Sequence, residues 1–121
     1  MTYSRDLEHA TKHYEMHEFA KALAVLRVLG EDEDALSEVE QVRYAYIRGM
    51  TDLRLAALVP ASEPAARESL RACARDWLDR ALKRAAASPT ALSADETKRA
   101  HAARTEVDDA LGTPGACLPP D

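Results

Sequence analysis

Residues 14–23 read YEMHEFAKAL and join two segments of helical periodicity. In residues 4–16 and again in residues 18–29, apolar side chains recur at spacings of three and four, which is the repeat of one helix face. The first apolar stripe is Leu7, Ala10 and Tyr14, and the second is Phe19, Ala22, Leu23, Leu26 and Leu29. Because only a short polar turn separates them, the two segments are predicted to form a helical hairpin.

The helix boundaries further along the chain are marked by capping and breaking residues. Residues 37–40 (SEVE) and 93–96 (SADE) are capping boxes, in which a serine and a glutamate satisfy each other's backbone amides. They open a third and a fifth helix, and a fourth helix lies between them and ends near Ala87. The other boundary signals are Ser4 as N-cap of the first helix, Gly30 as left-handed C-cap of the second, Pro60 after the third, Ser62 and Pro64 at the start of the fourth, Pro89 after it, and Gly112 after the fifth.

These five segments, with no strand-like alternation between them, predict an all-α protein. The order of the helices favours two antiparallel helical hairpins followed by a C-terminal capping helix, because the last apolar surface of a helical array needs a helix with a polar outer face. Residues 1–112 are expected to form one domain. Residues 113–121 contain three prolines and no periodicity, so they are predicted to be a disordered tail.

The charge and hydropathy of the chain restrict its partners. A net charge of -5 argues against general nucleic-acid binding, which requires a basic face to displace counterions from phosphates. No apolar run approaches the roughly 20 residues that cross a bilayer, and the N-terminal residues lack the apolar stretch of a signal peptide. We therefore expect a cytosolic protein that binds neither nucleic acid nor membrane. The excess of Arg over Lys and the abundance of Ala are typical of a GC-rich bacterial genome.

The two cysteines, Cys73 and Cys117, show no paired spacing such as CxxC. Cys73 falls on the apolar stripe of the fourth helix and is expected to be an inert packing residue. Cys117 lies in the tail, where we expect it to be exposed and open to oxidation. This pattern favours a reducing compartment.

The segment YEMHEFAKAL resembles the centre of a tetratricopeptide repeat, with an aromatic residue on each side of a short turn and then a small residue followed by Leu. In that family the small residue, here Ala22, lets the two helices approach closely. A looser second copy begins at residues 46–49 (YIRG), where Gly49 matches the close-contact glycine and Arg48 departs from the usual Leu. The resemblance covers roughly residues 4–88 and implies a right-handed superhelical array.

The resemblance also implies a concave surface, lined by the first helix of each pair, that holds a peptide or helix of another protein. The corresponding positions are Leu7, Thr11, Tyr14 and Glu15 on the first helix and Arg43, Tyr46, Met50, Leu53 and Arg54 on the third. Tyr and Arg often anchor interfaces, so the partner-binding candidates are Tyr14, Arg43, Tyr46, Met50 and Arg54. The alternative is that Tyr46, Met50 and Leu53 pack between helices, because an apolar stripe at helical spacing is usually core.

The function that these patterns favour is a small cytosolic interaction module, an adaptor, scaffold or regulatory subunit. A secretion-type chaperone for an apolar client is an alternative within the same class, and self-association through an apolar helix face stays open. His9, His13 and His17 recur every four residues, which is the spacing of a metal-binding stripe or of an ordinary solvated face. The solvated face is preferred, so no metal site is assigned. We recognise no catalytic motif and no cofactor-binding motif, and the chain is predicted not to be an enzyme.

Overall fold

The computed structural model describes residues 2–111 and Cys117, and within them it contains five α-helices and one 3₁₀ turn. The helices are α1 (Thr2–Glu15), α2 (Phe19–Gly30), α3 (Glu38–Leu58), α4 (Pro64–Ala85) and α5 (Ala94–Leu111), with the 3₁₀ turn at Glu33–Ala35. The prediction of an all-α protein with five helices is therefore confirmed. The predicted end at Gly112 and the predicted disorder of the tail fall outside the described residues, with Cys117 as the exception.

Helix α3 is the centre of the fold, because it contacts every other α-helix. Helix α1 packs on α2, and α4 packs on both α3 and α5. Three contacts show that α3 and α4 run antiparallel: Arg84 donates to Gln41 at 2.9 Å, Gly49 lies against Leu78, and Arg67 donates to the Val59 carbonyl at 2.6 Å. The buried apolar residues of α3 are Val42, Tyr44, Ala45, Tyr46, Ile47, Met50, Leu53 and Ala56.

Both capping boxes form as the sequence predicts. The Ser37 amide donates to Glu40 at 2.8 Å and the Glu40 amide donates to the Ser37 hydroxyl at 3.1 Å. The corresponding distances in the second box, between Ser93 and Glu96, are 2.9 and 3.1 Å. Both pairs of hydrogen bonds satisfy amides that a helix start otherwise leaves without a partner.

The two residues that the tetratricopeptide resemblance assigns to close helix contacts are both buried. Ala22 is fully buried in α2. A Cβ atom added to Gly49 would lie 2.7 Å from Leu78 Cγ and 3.2 Å from the Ala74 carbonyl oxygen. Helix α4 therefore approaches α3 so closely that only glycine fits at residue 49.

Gly30 is not the left-handed cap that the sequence predicts. It is the last residue of α2, and the following residue, Glu31, keeps a right-handed helical conformation with φ -64°. Glycine is required at position 30 for another reason, because a Cβ atom there would overlap the hydroxyl of Tyr44. That hydroxyl donates a hydrogen bond of 2.9 Å to the Leu26 carbonyl, and Tyr44 is almost fully buried.

Two predicted serine caps are also wrong. Helix α1 begins at Thr2, so Ser4 lies inside its first turn and its hydroxyl donates to Glu40 of α3 at 2.9 Å. Helix α4 has Glu63 at its N-cap position without a capping hydrogen bond from the side chain, so Ser62 is not the cap, although Pro64 does occupy the first turn as predicted. In both cases the start of the helix is fixed by contacts or by proline rather than by a serine hydroxyl.

The two cysteines form a disulfide bond, which contradicts the prediction of two separate thiols. Helices α4 and α5 run side by side, and Asp79 on α4 pairs with Arg104 on α5. Because the two helices run antiparallel from the Asp79–Arg104 pair, the last turn of α5 lies beside Cys73. Cys117, six residues after that turn, can therefore reach Cys73. This proximity depends on tertiary packing across 44 residues of sequence, which local spacing does not encode. The pairing also removes free thiols as an argument for a reducing compartment.

Among the described residues, none of the helices combines the length and the apolar character that crossing a membrane requires.

Candidate protein-binding groove

An open groove with a volume of about 520 Å³ lies between α1 and α3. Its floor includes Leu7, which is buried, and Val39, whose side chain is 41% exposed. The groove is lined by Ser4, Leu7, Glu8, His9, Thr11, Lys12 and Glu15 of α1 and by Val39, Glu40 and Arg43 of α3. We refer to it as the α1–α3 groove. Four of the positions that the family resemblance assigns to a concave surface line it: Leu7, Thr11, Glu15 and Arg43.

The first turn of α3 forms one wall of the groove, and its capping box fixes that wall. Glu40 accepts hydrogen bonds from Ser37 of its own helix and from Ser4 of α1. The bond from the Ser37 amide is the main cause that lowers the pKa of Glu40 below its ordinary value. Glu40 is therefore a fixed, ionised carboxylate that ties the start of α3 to the start of α1.

Arg43 lies one turn further along α3 and joins the groove to α5. Its guanidinium donates two parallel hydrogen bonds to the Glu96 carboxylate, at 3.1 and 3.0 Å, and a third of 3.0 Å to the Ala91 carbonyl. Burial opposes ionisation of Glu96, but the hydrogen bonds from Arg43 and Ser93 hold the pKa of Glu96 below its ordinary value. The charge of Arg43 is therefore matched within the chain, and the side chain is held in one orientation.

The other four candidate residues do not lie together in this groove. Tyr46 and Met50 are each only 3% exposed and belong to the core, as the packing alternative describes. Burial raises the pKa of the Tyr46 hydroxyl, and a hydrogen bond with Arg99 of α5 opposes that rise. Tyr14 is half-buried against Phe19, with ring centroids 5.5 Å apart, and Arg54 is exposed. Of the five candidates, the structure places only Arg43 on the groove wall.

The histidine stripe of α1 does not gather into one cluster. His13 contacts Glu18 at 3.2 Å, and His17 leaves the helix with a φ of 61° and stacks on Phe19. Within residues 2–111 and Cys117, no group of three or more His, Cys, Asp or Glu side chains is arranged to hold a metal ion.

Sequence reasoning missed Val39 and Ser4 as parts of the groove. Val39 lies in the first turn of α3, where α1 leaves it partly uncovered. Ser4 was assigned to a helix cap. The capping box could have indicated that Val39 is exposed, because it places residue 39 in the first turn of α3. The ends of a helix are the parts that its neighbours cover least.

A second polar cluster, closed rather than open, lies on the side of α3 that faces α2 and α4. Arg48 donates to the Tyr44 hydroxyl at 2.9 Å, lies 3.8 Å from the Asp52 carboxylate and sits over the Trp77 ring of α4. Asp52 is 2% exposed, and burial raises its pKa to about 6 although Arg48 and Arg27 favour the ionised form. We call Tyr44, Arg48, Asp52 and Trp77 the α3–α4 polar cluster.

Comparison with protein-family models, with curated proteins and with solved structures gives no match for this chain. In the geometry of the chain itself, the α1–α3 groove combines the partly exposed Val39 with an α3 wall whose Glu40 and Arg43 side chains are held by hydrogen bonds.

Proposed function

We propose that this chain is a tetratricopeptide-type interaction module that binds a helical or extended segment of another protein in the α1–α3 groove. The proposed array consists of the hairpins α1–α2 and α3–α4 with α5 as the cap. Contacts of α1 with α3 and of α3 with α5 support this arrangement, because a solenoid repeats the same neighbour contacts along its length. The outer face of α5 is polar and exposed, as a capping helix requires.

The observation that carries the proposal is the accessible apolar floor of the groove. A volume of about 520 Å³ accommodates side chains of a partner segment, and Val39, which is 41% exposed beside the buried Leu7, offers them apolar contact. Docking a side chain there removes apolar surface from water, which is the main source of affinity in helix-in-groove and peptide-in-groove recognition. The module acts as an adaptor or regulatory subunit in this proposal.

The experiment compares two valines that differ mainly in location. Val39 lies on the groove floor, whereas Val28 lies on α2 and is 69% exposed outside the groove. Short random peptides displayed on phage are selected on the wild-type protein, and their binding is then measured to Val39→Gln and to Val28→Gln. Neither change alters the net charge, and both put a residue with good helix propensity at an exposed helix position. Both variants are therefore expected to fold.

We expect the enriched peptides to bind Val39→Gln about tenfold more weakly and to bind Val28→Gln as they bind the wild type. Circular dichroism and thermal unfolding check that both variants keep the fold. Equal binding to both variants, or a selection that enriches no peptide, would contradict the proposed function.

A further inference from the structure

The described lining of the α1–α3 groove contains more carboxylates than Lys and Arg side chains. Its carboxylates are Glu8, Glu15 and Glu40, and its cations are Lys12 and Arg43. Arg43 already forms a two-point ion pair with Glu96, so its charge is balanced from within the chain. Among the described residues of the lining, three carboxylates therefore face one Lys or Arg side chain, Lys12, that forms no ion pair within the chain.

The three carboxylates differ in how they are held. Glu40 accepts hydrogen bonds from the Ser4 hydroxyl and the Ser37 amide, and the positive charge of the N-terminus also favours its ionised form, so the inference depends on the other two carboxylates. Glu8 and Glu15 are exposed, and neither forms an ion pair with another described residue. A ligand that supplies positive charge therefore meets groups that are still available for pairing.

The positions of the carboxylates define a spacing. Glu8 and Glu15 are seven residues apart on α1, which places them on the same helix face with roughly 10 Å of axial separation. The apolar floor formed by Leu7 and Val39 lies in the same groove. Two cationic side chains separated by roughly 10 Å are found two turns apart on a helix, or three residues apart in an extended strand.

We infer, on the basis of the proposed function, that the segment bound by the α1–α3 groove is cationic and amphipathic. It carries two Lys or Arg side chains spaced to meet Glu8 and Glu15, and an apolar side chain between them that contacts Val39. The complementary charges bring the partner segment to the groove and select against acidic segments, while the apolar contact holds it there.

The test uses the double variant Glu8→Gln/Glu15→Gln and a matched control, Glu106→Gln/Asp109→Asn, which removes the same amount of charge from the exposed face of α5. Peptides whose binding depends on Val39 are sequenced, and their affinities for both double variants are measured at about 50 mM and about 500 mM salt, conditions in which charges are weakly and strongly screened. Because both variants change exposed residues, their folding is expected to match the wild type.

We expect the Val39-dependent peptides to contain at least a pair of Lys or Arg residues and to lose about five- to tenfold in affinity for Glu8→Gln/Glu15→Gln at the lower salt concentration. The control variant should bind them as the wild type does, and high salt should remove the difference. Val39-dependent peptides that are neutral or acidic, or that bind both double variants equally, would overturn the inference while leaving the groove in place. Peptides that do not depend on Val39 would instead overturn the proposed function.

Discussion

Helix α4 is held by two neighbours in different ways. Against α3 the contact is steric, because Gly49 leaves room for Leu78 and for the backbone at Ala74. Against α5 the apolar contact is small, since the residues that α5 buries are Ala100, Ala103 and Val107. The second interface adds the Cys73–Cys117 disulfide and the ion pair between Arg104 and Asp79. Close packing therefore characterises the contact between the central helices, whereas the contact of the terminal helix adds covalent and ionic links.

The two interfaces also differ in what stabilises them. Removing water from a large apolar surface stabilises the α3–α4 pair, and this contribution involves no reducible bond and is not weakened by the screening that salt exerts on charges. The α4–α5 pair depends in addition on a bond that a dithiol can reduce and on the Arg104–Asp79 ion pair, which salt screens. This difference predicts which helix separates first when the protein is perturbed.

Removing the disulfide is expected to have the largest effect. The disulfide joins residues that are 44 positions apart, and in Cys117→Ser this cross-link is absent. The unfolded chain then gains conformational entropy, which lowers the stability by about 4 kcal/mol. Urea unfolding followed by Trp77 fluorescence measures this loss, because Trp77 is the only tryptophan. Amide hydrogen exchange should show faster opening in α5 than in α3.

Reduction of the wild-type protein with a dithiol provides the matched comparison. The reduced wild type and Cys117→Ser should have the same stability, and the reductant should not change the variant. If reduction alters stability by less than about 1 kcal/mol and leaves α5 protected, then packing rather than the covalent bond secures the terminal helix.

The features that sequence reasoning predicted correctly are those encoded within a few residues. The Ser37–Glu40 and Ser93–Glu96 boxes depend on hydrogen bonds within one helical turn, so their residues suffice to place the starts of α3 and α5. The five helices follow from apolar periodicity for the same reason. Pro64 lies in the first turn of α4 because proline lacks the amide that later positions need.

The features that sequence reasoning missed depend on contacts between residues that are distant in the sequence. Gly30 matches a C-cap signal, but its requirement for glycine comes from Tyr44, fourteen positions away and on another helix. Cys73 and Cys117 meet only once α5 has packed against α4. Of the candidate site, Arg43 was placed on the groove, but the burial of Tyr46 depends on α5, whose packing angle the sequence does not give.

The second effect, in order of size, concerns Asp52 of the α3–α4 polar cluster. Burial raises the pKa of Asp52 from its ordinary value of 3.8 to about 6, so the folded protein holds the proton more tightly than the unfolded chain does. The stability from this carboxyl is fully present below about pH 4 and is lost as the pH rises through 6. We therefore expect Asp52→Asn to gain stability relative to the wild type between pH 4 and pH 7.5, by about 2–3 kcal/mol.

Urea unfolding of both proteins across this pH range measures the difference. Asp109→Asn, which changes an exposed aspartate on α5, is the control and should follow the wild type at every pH. The groups that face Asp52 are Arg48 of α3 and Arg27 of α2, and both favour its ionised form. If the difference between Asp52→Asn and the wild type does not change with pH, the carboxyl titrates in the folded protein as it does in the unfolded chain.

The smallest of the three effects tests the steric side of the comparison directly. In the interior of a helix, Gly→Ala normally stabilises by up to about 1 kcal/mol, because alanine restricts the unfolded chain. At Gly49 the added methyl group would meet Leu78 and the Ala74 carbonyl, and overpacking of this kind costs about 1–3 kcal/mol. The clash exceeds the propensity gain, so Gly49→Ala should lower the free energy of unfolding by about 1–2 kcal/mol.

A double-mutant cycle with Leu78→Ala identifies the cause of that loss. Leu78→Ala alone opens a cavity and is expected to cost about 2–5 kcal/mol. With that cavity present, the methyl group of Gly49→Ala has space on the side of residue 78, and its effect should fall to zero or become stabilising. An equal loss in both backgrounds would assign the penalty to the Ala74 carbonyl, which cannot move independently of α4. A gain in the wild-type background would show that α3 and α4 can separate without cost, and the close fit would then not be what holds them.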